Sequence, residues 1–333
     1  MRFYLLISLL FLSIAGNAQV QKKRTTMLMG GRFEITIVAK NAKLAEQNID
    51  TVINEISRIE ALISDWKPTS QVSEVNRNAG EKPVKVDKEV FELTKRAIKL
   101  SQLTNGAFDV SFAAMDRIWK FDGSMMEMPS ADAIKKSVEK VGYKNIILDS
   151  VNSTIFLSKK GMKIGFGALG EGYAADKCRD MMLAKGIIAG IVNATGDMST
   201  WGKQPNGKKW LVGITNPFNK DSLFAAVPLY NSAVVSSGSY EKFVMFDGKR
   251  YSHIINPATG YPATGLSGVT VFGPDAELAN GLSTSIMVLG KEAGLKFIKQ
   301  FPKFSCIMFS DNGEIFLSDN LDKKTIERWK KML

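Results

Sequence analysis

Histidine and cysteine are scarce in this chain of 333 residues, which contains one His and two Cys. This excludes a zinc site rich in His or Cys, so we expect any metal to be a hard cation held by oxygen ligands. Two cysteines also cannot form a disulfide framework. Cys178 and Cys306 both lie in apolar stretches, and we expect both to be buried in the core. Proline is sparse, with 10 residues, and no Pro- or Ser-rich linker or internal repeat divides the chain.

The composition is that of an ordinary globular protein, with 45% hydrophobic and 23% charged residues. Disordered, collagen-like and low-complexity classes are therefore excluded. The length allows one large domain or two modest ones, and the missing linker favours one. The net charge of +11 favours anionic partners such as nucleotides, nucleic acid or an acidic membrane surface. We expect no nucleic-acid binding, because the basic residues are dispersed and no recognition module is present.

The N-terminus has the pattern of a secretory signal peptide. Arg2 precedes an apolar run over residues 3–15, which is too short to span a membrane, and small residues follow at 16–18. We expect cleavage after Ala18 and a mature domain over residues 19–333. No cysteine stands at the cleavage site for a lipid anchor, so the mature protein is expected to be periplasmic or on the outer face of the inner membrane, with peripheral membrane association only. A retained anchor helix is the alternative.

Hydrophobic periodicity predicts a mixture of helices and antiparallel strands. We expect strands over residues 32–38, 144–149, 153–158 and 161–164, and helices over residues 42–62, 86–103, 171–185, 276–289 and 291–300. Short strands separated by turns fill the stretch from about 185 to 273. The simplest account is one α+β domain, with two lobes.

A glycine-rich segment over residues 164–173 lies between a predicted strand and a predicted helix. Glycines at this place allow a pyrophosphate to approach the backbone, and the free amides of a helix N-terminus favour its negative charge. The antiparallel pattern that follows argues against a nicotinamide-binding fold, which requires successive βαβ units. A purely structural tight turn is the other alternative.

Two further segments carry candidate functional side chains. His253, the single histidine, is expected at a sheet edge beside a loop, where it could act as a general base or contact a phosphate, or could be a hydrogen-bonded structural residue. Asn280 and Thr284 are four residues apart near the start of a helix and would project to one side. Two such oxygen ligands suit magnesium with a diphosphate, whereas helix capping is the alternative explanation.

The order of the motifs resembles that of the exported FAD:protein FMN transferases, the ApbE family, over nearly the whole mature chain. The residues that carry the resemblance are Met29-Gly30, residues 64–70 with Asn76, residues 104–111, residues 167–176, residues 193–197, residues 237–240, the His253 segment and residues 279–284.

The resemblance implies an α+β fold related to the T-fold, with FAD in a cleft between lobes. It implies an enzyme that uses FAD and magnesium, attaches FMN through a phosphoester to a Ser or Thr of an exported flavoprotein, and releases AMP. Carried over by position, the flavin and adenosine sites would be lined by Met29, Trp66, Asn76, Ala107, Phe108 and Asp109. Gly167 and Glu171 would border the diphosphate. The carbonyl of Ala168 and the side chains of Asn280 and Thr284 would hold the metal, and His253 is the candidate base.

The sequence departs from the family pattern at four positions near the expected cleft. Asn280 and Asn256 replace the Asp that is usual in relatives, Gly165 stands where an Asp often precedes the glycines, and Thr195 interrupts a Gly-Gly pair. Asn280 keeps a ligand oxygen but lacks the negative charge, which predicts weaker magnesium binding. This departure keeps two alternatives open: an exported FAD-binding protein with weak or lost catalysis, and a magnesium-dependent FAD pyrophosphatase.

Overall fold

The computed structural model describes residues 19–239 and 242–333. The expected signal peptide and Tyr240 lie outside these ranges. The strands are β1 (Val20–Leu28), β2 (Gly31–Ala39), β3 (Val84–Lys85), β4 (Ile146–Asp149), β5 (Thr154–Leu157), β6 (Ala189–Ala194), β7 (Asp197–Trp201), β8 (Trp210–Asn216), β9 (Asn219–Leu229), β10 (Ser232–Gly238), β11 (Phe243–Phe246), β12 (Lys249–Ser252), β13 (Leu266–Gly273), β14 (Ser305–Ser310) and β15 (Ile315–Leu317). The α-helices are α1 (Ala42–Ile63), α2 (Gln71–Arg77), α3 (Lys88–Leu103), α4 (Ala131–Ser137), α5 (Gly170–Ala184), α6 (Ala276–Leu289), α7 (Lys291–Ile298) and α8 (Lys323–Lys330).

An eight-stranded antiparallel sheet with the order β1-β2-β6-β7-β10-β13-β14-β15 forms the centre of the molecule. Smaller antiparallel sheets are formed by β3-β5-β4, by β8-β9 and by β11-β12. The predicted α+β class with antiparallel sheets is therefore confirmed. In the described ranges no helix is both long enough and apolar enough to cross a membrane.

The central sheet is covered on both faces. On one face α1, α5 and α6 form the main core, to which α1 contributes buried residues such as Ile49, Ile56 and Ile59 at helical spacing. On the other face the β8-β9 ribbon and α8 pack over a second cluster that includes Trp210 and Ile326. Burial on both faces explains why β13 is buried along almost its whole length.

A third, smaller apolar cluster lies apart from the two main ones. It joins the 3-10 turn at residues 110–114 and the irregular chain after it with α4 and with the β11-β12 hairpin. Trp119 is at its centre, with its ring stacked on Phe121 and Tyr251 and its indole nitrogen donating to the carbonyl of Gly260. We call this group the satellite cluster.

Most of the expected elements are present within one or two residues of their predicted ends. The strand expected over residues 161–164 is wrong, because this segment has no strand partner. The Asn76 amide replaces the ladder instead: its nitrogen donates to the Ile164 carbonyl at 3.0 Å, and its oxygen accepts from the Ile164 amide at 2.8 Å. Cys178 and Cys306 are both buried and not joined in a disulfide, as expected for core residues.

A buried carboxylate joins α5, β7 and the start of α6. Asp176 accepts hydrogen bonds from the backbone amides of Ala276 and Glu277 at 2.6 and 2.9 Å, and from Ser199 and Arg179 at 2.8 and 3.0 Å. Burial raises the pKa of Asp176 to about 6, whereas Arg179 and the amide donors lower it. Because about 6 is still below neutral pH, the carboxylate is ionised there. It therefore satisfies amides at the N-terminus of α6 that no helical carbonyl can reach.

Replacing this carboxylate should loosen the junction between the two helices. We expect Asp176→Ala to destabilise the fold by about 3–5 kcal/mol, because it leaves Arg179 and two amides without their buried acceptor. Thermal unfolding of the mature chain measures the effect. Asp180→Ala is the matched control, since Asp180 also pairs with Arg179 but is exposed, and it should change the melting temperature little. Equal melting temperatures for the two variants would contradict a structural role for Asp176.

Candidate functional site

A cavity of about 600 Å³ opens at one end of the central sheet. Its walls come from the β1-β2 and β6-β7 turns, the loop before α5, one side of α6, the loop at residues 107–113 and the segment after β12. The predicted site residues that line it are Met29, Trp66, Ala107, Phe108, Asp109, Gly167, Ala168, Glu171, His253, Asn280 and Thr284. The fold therefore brings together residues that are up to 255 positions apart in sequence.

Two tight hairpin turns form the edge of the cavity. Met29-Gly30 joins β1 to β2, and Thr195-Gly196 joins β6 to β7, and all four residues have positive φ. Such turns match the twist of antiparallel strands. Because β2 pairs with β6, the two turns lie side by side, with the Thr195 amide bonded to the carbonyl of Arg32 at 3.2 Å.

Thr195 is an unusual residue for its position. Its φ of 51° lies in the left-handed region, which disfavours a β-branched side chain. Two features accommodate it. Gly31 leaves the space, since a Cβ there would come within 2.0 Å of the Thr195 methyl group. The Thr195 hydroxyl donates to the Glu171 carboxylate. The residue that interrupts the expected Gly-Gly pair thus ties the β6-β7 turn to the first turn of α5.

A close approach between α5 and α6 sets the wall next to these turns. A Cβ on Gly172 would lie 2.4 Å from the carbonyl oxygen of Ala276, so only glycine permits this spacing. The N-terminal end of α5 consequently faces the cavity, together with one side of α6. Helix N-terminal amides favour anions, so this wall suits a phosphate group.

Three residues with candidate oxygen ligands line the cavity near this wall. The carbonyl-bearing residue Ala168, the Asn280 amide and the Thr284 hydroxyl all line the cavity. Asn280 is 7% exposed and donates through Nδ2 to Oδ2 of Asp197, which is 6% exposed. This donor set contains only oxygen, which fits a hard divalent cation. That these residues bind a metal stays a prediction.

Two of the predicted flavin-site residues have structural contacts that the sequence did not indicate. Asn76 does not line the cavity, because its amide is used to hold Ile164. Asp109 does line it, but its carboxylate accepts hydrogen bonds from Ser111 and from the amide of Tyr143 at 3.0 Å. The Asp109 carboxylate therefore fixes the shape of the loop.

The mouth of the cavity carries an exposed aromatic ring. The Trp66 side chain is 69% exposed, and the guanidinium of Arg117 lies 4.0 Å from its ring centroid. The neighbouring residue Asp65 packs beside Gly165. A Cβ on Gly165 would lie 3.5 Å from the Asp65 carboxyl group and 2.9 Å from Ala113 Cβ. Burial raises the pKa of Asp65, while the charges of Arg117 and Lys163 lower it.

His253 follows β12 and lies between the main cavity and a smaller one of about 230 Å³. Its Nδ1 is 3.2 Å from the backbone carbonyl of Lys242, and its ring meets Phe121 edge-on. A carbonyl oxygen only accepts, so Nδ1 carries the proton and Nε2 is the basic nitrogen of the neutral ring. The expected place beside a loop at a sheet edge is confirmed, and the edge belongs to the β11-β12 hairpin.

Sequence reasoning did not assign several residues of the cavity, chiefly Asp65, Asp197 and Lys242. Asp197 had a usable signal, since it directly follows a Thr-Gly turn between two apolar strands. Asp65 had one too, since it directly precedes the predicted site residue Trp66 in the segment 64–70. Lys242 had none, because its position depends on how distant segments pack.

Comparisons with known proteins agree with this arrangement. The model of the ApbE family matches residues 29–308. The chain is 29% identical over 296 residues to the FAD:protein FMN transferase of Klebsiella pneumoniae, covering 88% of this chain and 90% of that protein. It is 28% identical to that of Treponema pallidum, covering 87% and 85%.

Solved structures give the same result. The crystal structure of the ApbE protein from Thermotoga maritima matches with a TM-score of 0.82 and 28% identity, covering 93% of this chain and 99% of that one. The apo flavinyl transferase ApbE of Pseudomonas stutzeri matches with a TM-score of 0.79 and 25% identity, covering 94% and 97%.

The packing around Gly165 predicts how the cavity wall responds to a side chain. We expect Gly165→Ala to destabilise the fold by about 1–3 kcal/mol, because the new Cβ meets the Ala113 methyl group. Gly167→Ala is the matched control, since a Cβ there meets nothing within 4 Å. Thermal unfolding measures both, and the double variant Ala113→Gly/Gly165→Ala should recover most of the loss. A melting temperature unchanged by Gly165→Ala would show that the wall is not packed as described.

Proposed function

Because the chain belongs to the ApbE family, we propose that it is a flavin transferase that uses FAD to attach FMN to an acceptor protein. The finer proposal is that FMN becomes linked through a phosphoester to a Ser or Thr and that AMP leaves. The acceptor would be an exported flavoprotein, which agrees with the signal-peptide pattern of residues 1–18.

The observation that carries the proposal is the mixed lining of the cavity. The lining includes the exposed Trp66 ring and the apolar residues Met29 and Phe108. It also includes the N-terminus of α5 and the residues Asn280 and Thr284 of α6, and we call this part the phosphate end. An aromatic ring system joined to a diphosphate has the same two parts, and the volume lies in the range of small-molecule sites.

The donor set at the phosphate end fits magnesium, with Ala168, Asn280 and Thr284 as the residues that would hold it. Bound there, the cation would neutralise charge on the diphosphate as the bond from the FMN phosphorus to the bridging oxygen breaks. The protein residues would align the diphosphate: the amides at the start of α5 would donate to its oxygens, and Lys242 adds a positive charge to the lining.

His253 is the proposed base. The acceptor hydroxyl would give its proton to Nε2 while its oxygen bonds to the FMN phosphorus, and the bond from that phosphorus to the bridging oxygen breaks so that AMP leaves. The Lys242 carbonyl supports this role, because its bond to Nδ1 keeps the proton there and holds the ring in position.

Asn280 supports two alternatives, since it lacks the charge of the Asp usual in relatives. The protein could bind FAD with weak or lost catalysis. It could also be a magnesium-dependent FAD pyrophosphatase, in which water replaces the acceptor hydroxyl and free FMN is released.

Mass spectrometry of an acceptor segment tests the transfer. We expect a Ser- or Thr-containing acceptor protein to gain the mass of one FMN after incubation with the mature protein, FAD and magnesium, and to gain nothing when a chelator is present. FMN and AMP released without acceptor labelling would favour the pyrophosphatase. FAD that is bound but intact with several acceptors would favour the binding protein.

Replacing the base should separate binding from transfer. His253→Gln removes Nε2 as a base, and we expect labelling to fall by about 10²–10⁴-fold. FAD affinity, measured by fluorescence quenching, should change much less, because the ring is at the edge of the cavity. Labelling at the rate of the unaltered protein would exclude His253 as the base.

A further inference from the structure

The cation site described above lacks the charge that a magnesium site requires. Its three predicted ligands are a backbone carbonyl, an amide and a hydroxyl, and none is charged. Magnesium in proteins is usually bound through one or two carboxylates together with substrate phosphates. A nearby residue of this chain must therefore supply a carboxylate if the site is to hold the cation well.

We propose that Asp197 supplies the anionic ligand of this site, in place of the charge that Asn280 lacks. This inference rests on the proposed function, because it concerns the same cavity. Asp197 lines the cavity together with Ala168, Asn280 and Thr284, and it is almost fully buried.

The hydrogen bond between the two side chains supports this assignment. Asn280 Nδ2 donates to Asp197 Oδ2, so the amide nitrogen faces Asp197 and the amide oxygen is the atom that can act as a ligand. The bond also fixes the orientation of the carboxylate. An ionised Asp197 would place the negative charge on the first residue of β7 rather than on α6.

The backbone holds Asp197 firmly in this place. It is paired with Ala194 directly after the Thr195-Gly196 turn. Within that turn, the Thr195 amide donates to the Arg32 carbonyl of β2, and the Thr195 hydroxyl donates to the Glu171 carboxylate. A short, rigid side chain on a fixed hairpin is well suited to position a cation ligand.

Glu171 is the rival carboxylate, since it lines the same cavity. It accepts a hydrogen bond from Thr195 and borders the N-terminus of α5. The carboxylate bonded to the Asn280 amide is that of Asp197. The geometry therefore favours Asp197, and the two can be distinguished by experiment.

The test measures Mn²⁺ binding to the mature chain by electron paramagnetic resonance, with no FAD present. We expect Asp197→Asn to weaken Mn²⁺ binding by about tenfold or more. Asn280→Asp should strengthen it. The double variant Asp197→Asn/Asn280→Asp has the same net charge as the unaltered protein but carries the carboxylate on α6. It should bind Mn²⁺ within about threefold of the unaltered protein.

Several results would overturn the inference. Mn²⁺ affinity within about twofold of normal in Asp197→Asn would do so, as would a loss seen only in Glu171→Gln, or no Mn²⁺ binding by the unaltered chain. Recovery in the double variant shows that Asp197→Asn does not act by unfolding the protein, and thermal unfolding of each variant checks this directly. Because no flavin is transferred in this assay, the acceptor-labelling experiment can fail or succeed independently of it.

Discussion

The arrangement of the site depends on one buried carboxylate, Asp176, which holds the N-terminus of α6 against α5. The phosphate end of the cavity is built from the start of α5 and from the side of α6, so their relative position decides whether the oxygen donors meet. Gly172 allows the helices to approach, and Asp176 compensates for the amides and the guanidinium that this approach buries. Steric freedom and charge compensation are both required, because a close approach without acceptors would leave polar groups unsatisfied.

The edge of the cavity beside these helices depends on the register of the sheet. Pairing between β2 and β6 places the Met29-Gly30 and Thr195-Gly196 turns side by side. Backbone hydrogen bonds thus hold together two turns that are more than 160 positions apart in the sequence. The helices and the turns are independent structures, yet the Thr195–Glu171 bond joins them. The cavity is therefore enclosed by rigid elements along most of its phosphate end.

Local patterns predicted the parts of this protein that local physics determines. The apolar spacing in α1 fixes that helix, and the resemblance to the ApbE family predicted eleven of the residues that line the cavity. The prediction failed for residues 161–164 and for Asn76 for one shared reason: a side-chain amide completes the backbone hydrogen bonds of a distant segment, and no periodicity reports such a contact. Lys242 was missed because only tertiary packing brings it to the cavity. Asp197 could have been found from its turn, but its partnership with Asn280 depends on the pairing of α6 with the sheet.

The satellite cluster separates the surroundings of His253 from those of the oxygen-bearing residues of α6. His253 is attached to this small apolar group, whereas the oxygen donors are attached to the main core. Small clusters with few buried residues open more readily than a main core, with a lower free energy of local unfolding. We therefore expect the proposed base and the oxygen-bearing residues of α6 to belong to separate cooperative units. Variation in residues 119–141 and in the β11-β12 hairpin should change the surroundings of His253 more than those of Asn280 and Thr284.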